Sequence, residues 1–195
     1  MATRIEAIEA DRYPLYDGIA NSFWVTSILR AEAIDGGLGG MRLIEEAVAT
    51  PYLKYYGAPG EDGPTAWARE FNIERWGLFL ALDGEAPLGG AAVALDTAVY
   101  PMDHFQRKDL AVLWDIRVGP EWRQKGIGEM LFRHAAAWAR GLGYGQLGLE
   151  TQSTNIAACR FYVRMGCTLG AIHRYGYAGV PEVAHEAMLL WYLEL

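Results

Sequence analysis

The segment Arg123-Gln124-Lys125-Gly126-Ile127-Gly128 contains two glycines and two basic side chains, and it lies between a predicted strand and a predicted helix. It follows an apolar strand predicted over Leu110–Val118 and a Gly119-Pro120 break, and an amphipathic helix is predicted after it. The first amides of a helix lack partners within the helix, and the helix dipole favours negative charge there. Because glycines allow close approach and Arg123 and Lys125 add positive charge, the segment is predicted to hold a pyrophosphate.

Two common phosphate-binding motifs do not fit this segment. The dinucleotide fingerprint requires a third glycine where Leu131 stands. The P-loop requires Lys and then Ser or Thr after its last glycines, whereas Ile127 follows Gly126. An ordinary glycine-containing turn before a helix therefore remains an alternative at this point.

A second segment downstream, from Asn155 to Tyr162, is predicted to form a helix with chemistry on one side. Ser153, Thr154 and Asn155 are residue types that cap helix N-termini, and Gly166 suits the C-terminal end. Asn155 and Tyr162 are two turns apart, roughly 10 Å along one side of a helix. A buried face is expected from the helical spacing of three apolar residues, Ala158, Phe161 and Met165.

Together the two segments resemble the GNAT superfamily of N-acetyltransferases, which share R-x-x-G-x-G and a later Asn, small residue, aromatic-Tyr pair and Gly. The resemblance implies that acetyl-CoA is the cofactor, with its pyrophosphate on residues 123–128. It further implies that Asn155 binds the pantetheine arm and that Tyr162 lies beside the sulfur. The implied fold is α/β, with a mixed, mostly antiparallel central sheet, two parallel splayed central strands and helices on both faces.

In that superfamily the pantetheine arm pairs with a strand, and the resemblance assigns this role to the backbone of Ile116, Arg117 and Val118. Acetyl transfer also needs a base for the amine and an acid for the leaving thiolate. Tyr162 is the candidate acid, because an ordinary tyrosine pKa lies within roughly two units of that of a thiol. Glu150 is the candidate base, as in acetyltransferases of ribosomal-protein N-termini, and Asp115 is the alternative.

A narrower resemblance links the chain to streptothricin acetyltransferases. It rests on Leu149-Glu150-Thr151-Gln152, on Ala158-Cys159-Arg160-Phe161-Tyr162 after an Asn, and on Trp114-Asp115-Ile116. Those enzymes acetylate an amino group of the β-lysine arm of the antibiotic, which implies a small cationic amine as the substrate here. A protein N-terminal or lysine N-acetyltransferase and a non-catalytic acyl-CoA sensor stay open as alternatives.

Composition and charge narrow the classes of protein to which the chain can belong. A length of 195 residues with 52% hydrophobic residues fits a single domain over residues 1–195. The formal charge of −7 disfavours nucleic acid as a partner. The start lacks a secretory signal and no apolar run could cross a bilayer, so a cytoplasmic protein without membrane attachment is expected, as a monomer or homodimer.

Several single residues complete the sequence predictions. The four histidines lack metal-ligand spacing, so no metal site is expected. Cys159 and Cys167 are expected to be reduced and buried. Tyr100, Tyr175 and Tyr177 are candidates for the wall of an acceptor pocket.

Strands are predicted at about 22–34, 76–82, 88–95, 110–118, 146–151, 168–177 and 182–193, and helices at about 41–48, at about 122–140 and from Asn155.

Overall fold

The structure, a computed structural model, describes residues 3–57, 62–95, 105 and 107–195. The chain divides into two compact units. The first unit contains residues 1–22, 55–148 and 194–195, and the second contains residues 23–54 and 149–193. Because both units are assembled from separate stretches of sequence, each depends on contacts between residues far apart in the chain.

The described chain contains strands and helices, with several strands following one another directly. The strands are β1 (Arg4–Ala7), β2 (Ser22–Ala33), β3 (Met41–Tyr55), β4 (Gly77–Asp83), β5 (Ala86–Ala94), β6 (Leu110–Val118), β7 (Gln146–Gln152), β8 (Thr168–His173) and β9 (Met188–Glu194). The helices are α1 (Tyr13–Asp17), α2 (Pro64–Glu70), α3 (Ile127–Gly141) and α4 (Ile156–Arg164).

The first unit is built on a sheet in the order β1-β4-β5-β6, with the start of β7 beside β6. The pairs β1–β4, β4–β5 and β5–β6 are antiparallel, while β6 pairs with β7 in parallel. The apolar strand β4 is buried from Gly77 to Leu82, because the sheet is covered rather than exposed on one face. These pairings confirm the predicted mixed, mostly antiparallel sheet with one parallel pair.

Helix α3 packs against β4, β5 and β6 of the same unit. Its buried residues include Ile127, Leu131 and Phe132 together with three alanines, and the small alanines allow close approach to the sheet. The sequence predicted that this helix begins at about residue 122, but it begins at Ile127. Gln124 and Gly126 have positive φ angles of 62° and 83°, which a helix does not accommodate.

The second unit contains a two-stranded ribbon of β2 and β3, and a sheet portion in the order β7-β9-β8. Strands β8 and β9 are antiparallel. Gly170 on β8 has a packing reason, because an added Cβ would lie 2.4 Å from the ring of Tyr192. Helix α4 follows β7 directly and carries several of the candidate functional residues.

Three sequence predictions about elements were wrong. Residues 41–48 are not a helix but the start of β3, because pairing with β2 outweighs the helix propensity of residues such as Glu45 and Glu46. The two late strands are shorter than predicted, since residues 174–187 form turns. The sequence prediction also missed α1 and α2, which are too short for a periodic pattern to be visible.

Candidate functional site

The candidate residues fall into two groups, one in each unit. The loop of residues 123–128 and the strand residues Asp115 to Val118 belong to the first unit. Glu150, Asn155 and Tyr162 belong to the second. Each group has its own hydrogen-bond network, which fixes its backbone and side chains.

The loop before α3 leaves its main-chain amides without internal acceptors. Gly126 is the N-cap residue in the left-handed region (φ 83°, ψ −7°), and no side chain caps the helix. The first helical bond runs from the amide of Met130 to the carbonyl of Gly126. In the part of the chain that the structure describes, the amides of residues 124–129 donate to no carbonyl or side chain.

This geometry is that of an anion-binding loop. Gln124 adopts a positive φ of 62°, which is uncommon for a residue with a side chain and is typical of functional turns. Successive amides in such a turn converge on one point, and the 15-residue helix α3 adds its dipole. The loop therefore offers backbone donors of the kind that bind phosphate oxygens, and its binding of a pyrophosphate stays a prediction.

The two basic side chains of the loop behave differently. The Arg123 guanidinium donates to the carbonyls of Val118 at 3.0 Å and Ser22 at 2.6 Å, and burial lowers its pKa. It therefore ties the loop to the end of β6. Lys125 lies over the Trp122 ring, with Nζ 4.5 Å from the ring centroid. A direct charge contribution of Arg123 to phosphate binding stays a prediction.

The strand residues Ile116, Arg117 and Val118 pair with Ala91, Gly90 and Gly89 of β5. The parallel pairing of β6 with β7 covers Leu110–Val112 and Gln146–Gly148, and β6 continues to Val118. Gly90 has no side chain because the ring of Tyr16 occupies that space, 2.4 Å from where a Cβ would lie. The backbone of β6 is thus fixed by its neighbour on the β5 side.

Asp115 lies in a buried network of charged and polar groups that the sequence analysis did not foresee. Its Oδ2 accepts from the Tyr16 hydroxyl at 2.6 Å and from Arg117 Nε at 2.7 Å. Arg117 also donates to the backbone carbonyl of Asp62 at 2.8 Å and to its Oδ2 at 3.1 Å. Asp115 is therefore an ion-pair partner within the first unit.

Burial shapes the protonation of this network. Burial opposes the charge of Arg117, but the Asp115 carboxylate and other acceptors raise its pKa above the ordinary value. Burial, and then the Asp115 carboxylate, raise the pKa of Tyr16 well above its ordinary value. Arg117 stays cationic and Tyr16 neutral at physiological pH, so Asp115 has two permanent donors.

In the second unit, Asn155 caps α4 as predicted. Its Oδ1 accepts from the amide of Ala158 at 3.1 Å. The turn before it is held by buried groups: the Ser153 amide donates to the Ala187 carbonyl at 2.9 Å, and the Ala187 amide donates to Ser153 Oγ at 3.0 Å. The N-terminus of α4 is therefore fixed relative to the segment that precedes β9.

A buried ion pair supports the same turn. Lys54 donates to Glu186, whose side chain is only 2% exposed, and the Thr154 hydroxyl donates to Glu186 Oε2 at 2.8 Å. These residues are far apart in sequence, and no local pattern of residues indicates that they meet.

The buried face of α4 differs from the one predicted. Ile156, Cys159 and Tyr162 are buried, whereas the predicted residues Ala158, Phe161 and Met165 are half-buried. Tyr162 is 6% exposed, and its ring lies 6.4 Å from that of Trp191.

Both cysteines are free and buried, as predicted. Cys159 Sγ lies 3.5 Å from Thr151 Oγ1, and burial raises the pKa of this thiol. Burial also raises the pKa of Cys167, to about 11. A neutral thiol is a weak nucleophile, so the geometry does not favour covalent catalysis at either residue.

Glu150 is half-buried on β7 and receives a hydrogen bond from the Tyr177 hydroxyl. Burial raises the pKa of this carboxyl, and the bond from Tyr177 opposes the shift. Of the three tyrosines considered for an acceptor pocket, Tyr177 thus contacts the candidate base, Tyr175 is 68% exposed, and Tyr100 lies outside the described residues.

Two further properties concern the described residues as a whole. Within them, no group of three or more His, Cys, Asp or Glu side chains is arranged to hold a metal ion. None of the helices described is long and apolar enough to span a bilayer.

The fold is shared with a solved structure. A protein from Bacillus anthracis str. Ames, assigned as a streptothricin acetyltransferase and solved in complex with acetyl coenzyme A, matches with a TM-score of 0.77. The match covers 100% of this chain and 98% of that protein at 23% sequence identity. At this identity the likeness establishes the fold.

Proteins that are related to this chain by sequence are also described as streptothricin acetyltransferases. Streptothricin acetyltransferase A of Bacillus subtilis (strain 168) is 38% identical over 82 residues, which are 42% of this chain and 47% of the relative. The chain thus spans about half the length of that relative. A streptothricin acetyltransferase of Streptomyces lavendulae is 28% identical over 178 residues, covering 89% of this chain and 86% of the relative.

Residues 43–167 match the family described as the acetyltransferase (GNAT) family. Because this match covers more than half of the chain, the chain belongs to that family. The resemblance inferred from the glycine loop and the Asn155 helix is thereby confirmed at the level of the family.

Proposed function

We propose that the chain transfers an acetyl group from acetyl-CoA to a primary amine of a small cationic substrate, with the β-lysine arm of streptothricin as the first candidate. The observation that carries the proposal is the loop before α3. Its amides at residues 124–129 have no acceptor among the described residues and stand at a helix N-terminus. Such a site calls for an anion, and the pyrophosphate of CoA supplies one.

In this proposal the remaining cofactor contacts follow the family pattern. The backbone of Ile116, Arg117 and Val118 pairs with the pantetheine arm, and one of its amides stabilises the oxyanion of the thioester carbonyl. Asn155 binds the same arm. The Gly119-Pro120 end of β6 supports this role, since proline forbids further strand pairing.

Glu150 is the proposed base that takes a proton from the substrate ammonium. A free ammonium has a pKa near 10.4, so a carboxyl needs a raised pKa to act on it directly or through water. Burial shifts the pKa of Glu150 in that direction. Asp115, the alternative base, is less suited because Tyr16 and Arg117 both donate to its Oδ2.

Tyr162 is the proposed acid. The amine nitrogen attacks the carbonyl carbon, the carbon–sulfur bond breaks, and the leaving thiolate takes the hydroxyl proton of Tyr162. A tyrosine pKa near 10 and a thiol pKa near 8.5 are close enough for this transfer. The burial of Tyr162 supports the role, because it limits competition from water.

A second candidate is acetylation of a protein N-terminus or lysine. It is supported by the position of Glu150, which the chain shares by resemblance with acetyltransferases of ribosomal-protein N-termini. Both candidates use the same base, acid and cofactor, so they differ only in what surrounds the acceptor amine. A sensor that binds acyl-CoA without turnover is the third alternative, and it would give no use to Glu150 and Tyr162.

The glycine loop gives the first prediction. Replacing Gly126 by Ala strains the left-handed backbone conformation at this position by about 1–2 kcal/mol. The strain shifts the main-chain amides of the loop, so the affinity for CoA should fall roughly tenfold. Isothermal titration calorimetry with CoA measures the effect. The matched control is Gly143→Ala: Gly143 also has a positive φ, of 90°, with no atom within 4 Å of an added Cβ, but it follows the other end of α3. Equal CoA affinities in both variants would contradict the binding of the CoA pyrophosphate by this loop.

The acid gives the second prediction. Tyr162→Phe should lower kcat roughly 10²–10⁴-fold, the usual contribution of a general acid, with CoA affinity kept. Thiol release at saturating acetyl-CoA measures kcat. Tyr192→Phe, which removes a hydroxyl from β9, should stay near the parent rate. A parent-like kcat in Tyr162→Phe would exclude the acid role.

The base gives the third prediction. Because Glu150 must be ionised to accept a proton, kcat/KM should fall as the pH drops through its raised pKa, and Glu150→Gln should lack this acid limb and be slower. Tyr177→Phe removes the bond that favours the ionised carboxyl, so its acid limb should move to higher pH. An unmoved limb in Tyr177→Phe, with the limb retained in Glu150→Gln, would assign the base elsewhere.

The substrate gives the fourth prediction. Susceptible bacteria that express the chain should grow at streptothricin concentrations that stop cells expressing Tyr162→Phe at the same level. The purified protein should release CoA thiol with streptothricin. Turnover of an N-terminal alanine peptide without turnover of streptothricin would favour the second candidate. CoA binding without turnover of any amine would favour the sensor.

A further inference from the structure

Gln152, the last residue of β7, carries a buried polar atom that the proposed mechanism has not used. Its Oε1 is inaccessible to solvent, and no group among the described residues donates a hydrogen bond to it. Buried carbonyl oxygens without a donor are uncommon, since each costs folding free energy. Gln152 Oε1 therefore needs an explanation outside the folded chain itself.

The position of Gln152 on its strand places it with the candidate base. Side chains alternate along a strand, so Glu150 and Gln152 share one face of β7, with their Cα atoms roughly 7 Å apart. Thr151 lies on the opposite face, where its Oγ1 accepts from Trp191 Nε1 at 2.9 Å and lies 3.5 Å from Cys159 Sγ. The Thr151 face is internally bonded, whereas the Glu150 face presents two acceptor groups.

The chemistry of these two groups fits an amine. A primary ammonium has three N–H donors, and a carboxylate and an amide carbonyl are both acceptors. After Glu150 takes one proton, the neutral amine keeps two N–H groups and a lone pair. An uncharged acceptor such as Gln152 can hold one of those N–H groups without competing for the proton, and so direct the lone pair toward the thioester.

We propose that Gln152 is a specificity-determining residue, whose Oε1 accepts a hydrogen bond from the substrate's primary amine beside Glu150. The inference rests on the proposed function and deepens it. It explains why a substrate amine that bears N–H groups is bound in preference to a fully substituted amine.

The test uses three variants of the full chain. Gln152→Met removes the acceptor and keeps the side-chain length, so the KM for streptothricin should rise roughly tenfold to a hundredfold while the KM for acetyl-CoA is unchanged. Because the unpaired oxygen is gone, the melting temperature should rise by about 2–4 °C. Gln152→Glu keeps an acceptor, so the KM for streptothricin should stay within a few-fold of the parent value, whereas kcat should fall because the added carboxylate competes for the proton.

The control is a glutamine on the same strand whose hydrogen bonds are satisfied. Gln146 accepts from Arg107 at 2.7 Å and donates to Glu194. Gln146→Met should lower the melting temperature and leave the KM for streptothricin unchanged. The two Met variants therefore move stability in opposite directions, which a merely structural role of Gln152 would not produce.

The outcomes separate this inference from the function on which it rests. If the parent protein acetylates neither streptothricin nor any amine of a panel, the proposed function fails and the role of Gln152 with it. If the parent acetylates streptothricin but Gln152→Met has the parent KM, only the role of Gln152 is overturned. A lower melting temperature in Gln152→Met, or a KM in Gln152→Glu as high as in Gln152→Met, would also overturn it.

Discussion

The main-chain amides at the start of α3 impose the constraint on which the functional interpretation depends. The left-handed residues Gln124 and Gly126 delay the helix and turn its first amides away from internal carbonyls. Residues 123–126 are exposed, so their amides can exchange water for the oxygens of an anion. The positive φ angles of Gln124 and Gly126 hold the turn in the form that the proposed binding of a pyrophosphate needs.

Buried charges hold each group of candidate residues in place. In the first unit, Arg117 is bound by Asp115 and Asp62, which fixes the end of β6. In the second unit, the ion pair of Lys54 and Glu186 holds the turn before α4. Removing one partner of a buried pair leaves an uncompensated charge, at a cost of about 3–5 kcal/mol. Such pairs make geometry specific: each charge tolerates few alternative positions of its partner.

Where local patterns were strong, sequence reasoning matched the structure. The strands predicted at about 76–82 and 88–95 are β4 and β5, and Asn155, which is of a capping residue type, caps α4. Where packing outweighs propensity, it failed. Residues 41–48 contain good helix formers, yet they form part of β3 because β2 offers strand pairing. The buried face of α4 was also misjudged, because Ile156, Cys159 and Tyr162 are buried in place of the predicted residues.

The sequence by itself determined the features that depend on a few neighbouring residues: the basic glycine loop after β6, the helix cap at Asn155 and the family to which these motifs belong. Tertiary structure alone decided which polar groups meet. Tyr16 reaches Asp115, Lys54 reaches Glu186, and Tyr177 reaches Glu150 across long stretches of chain, while no described residue donates to the buried Gln152 Oε1. The reason is that strand register and packing set these encounters, and neither is encoded in any local pattern of residues.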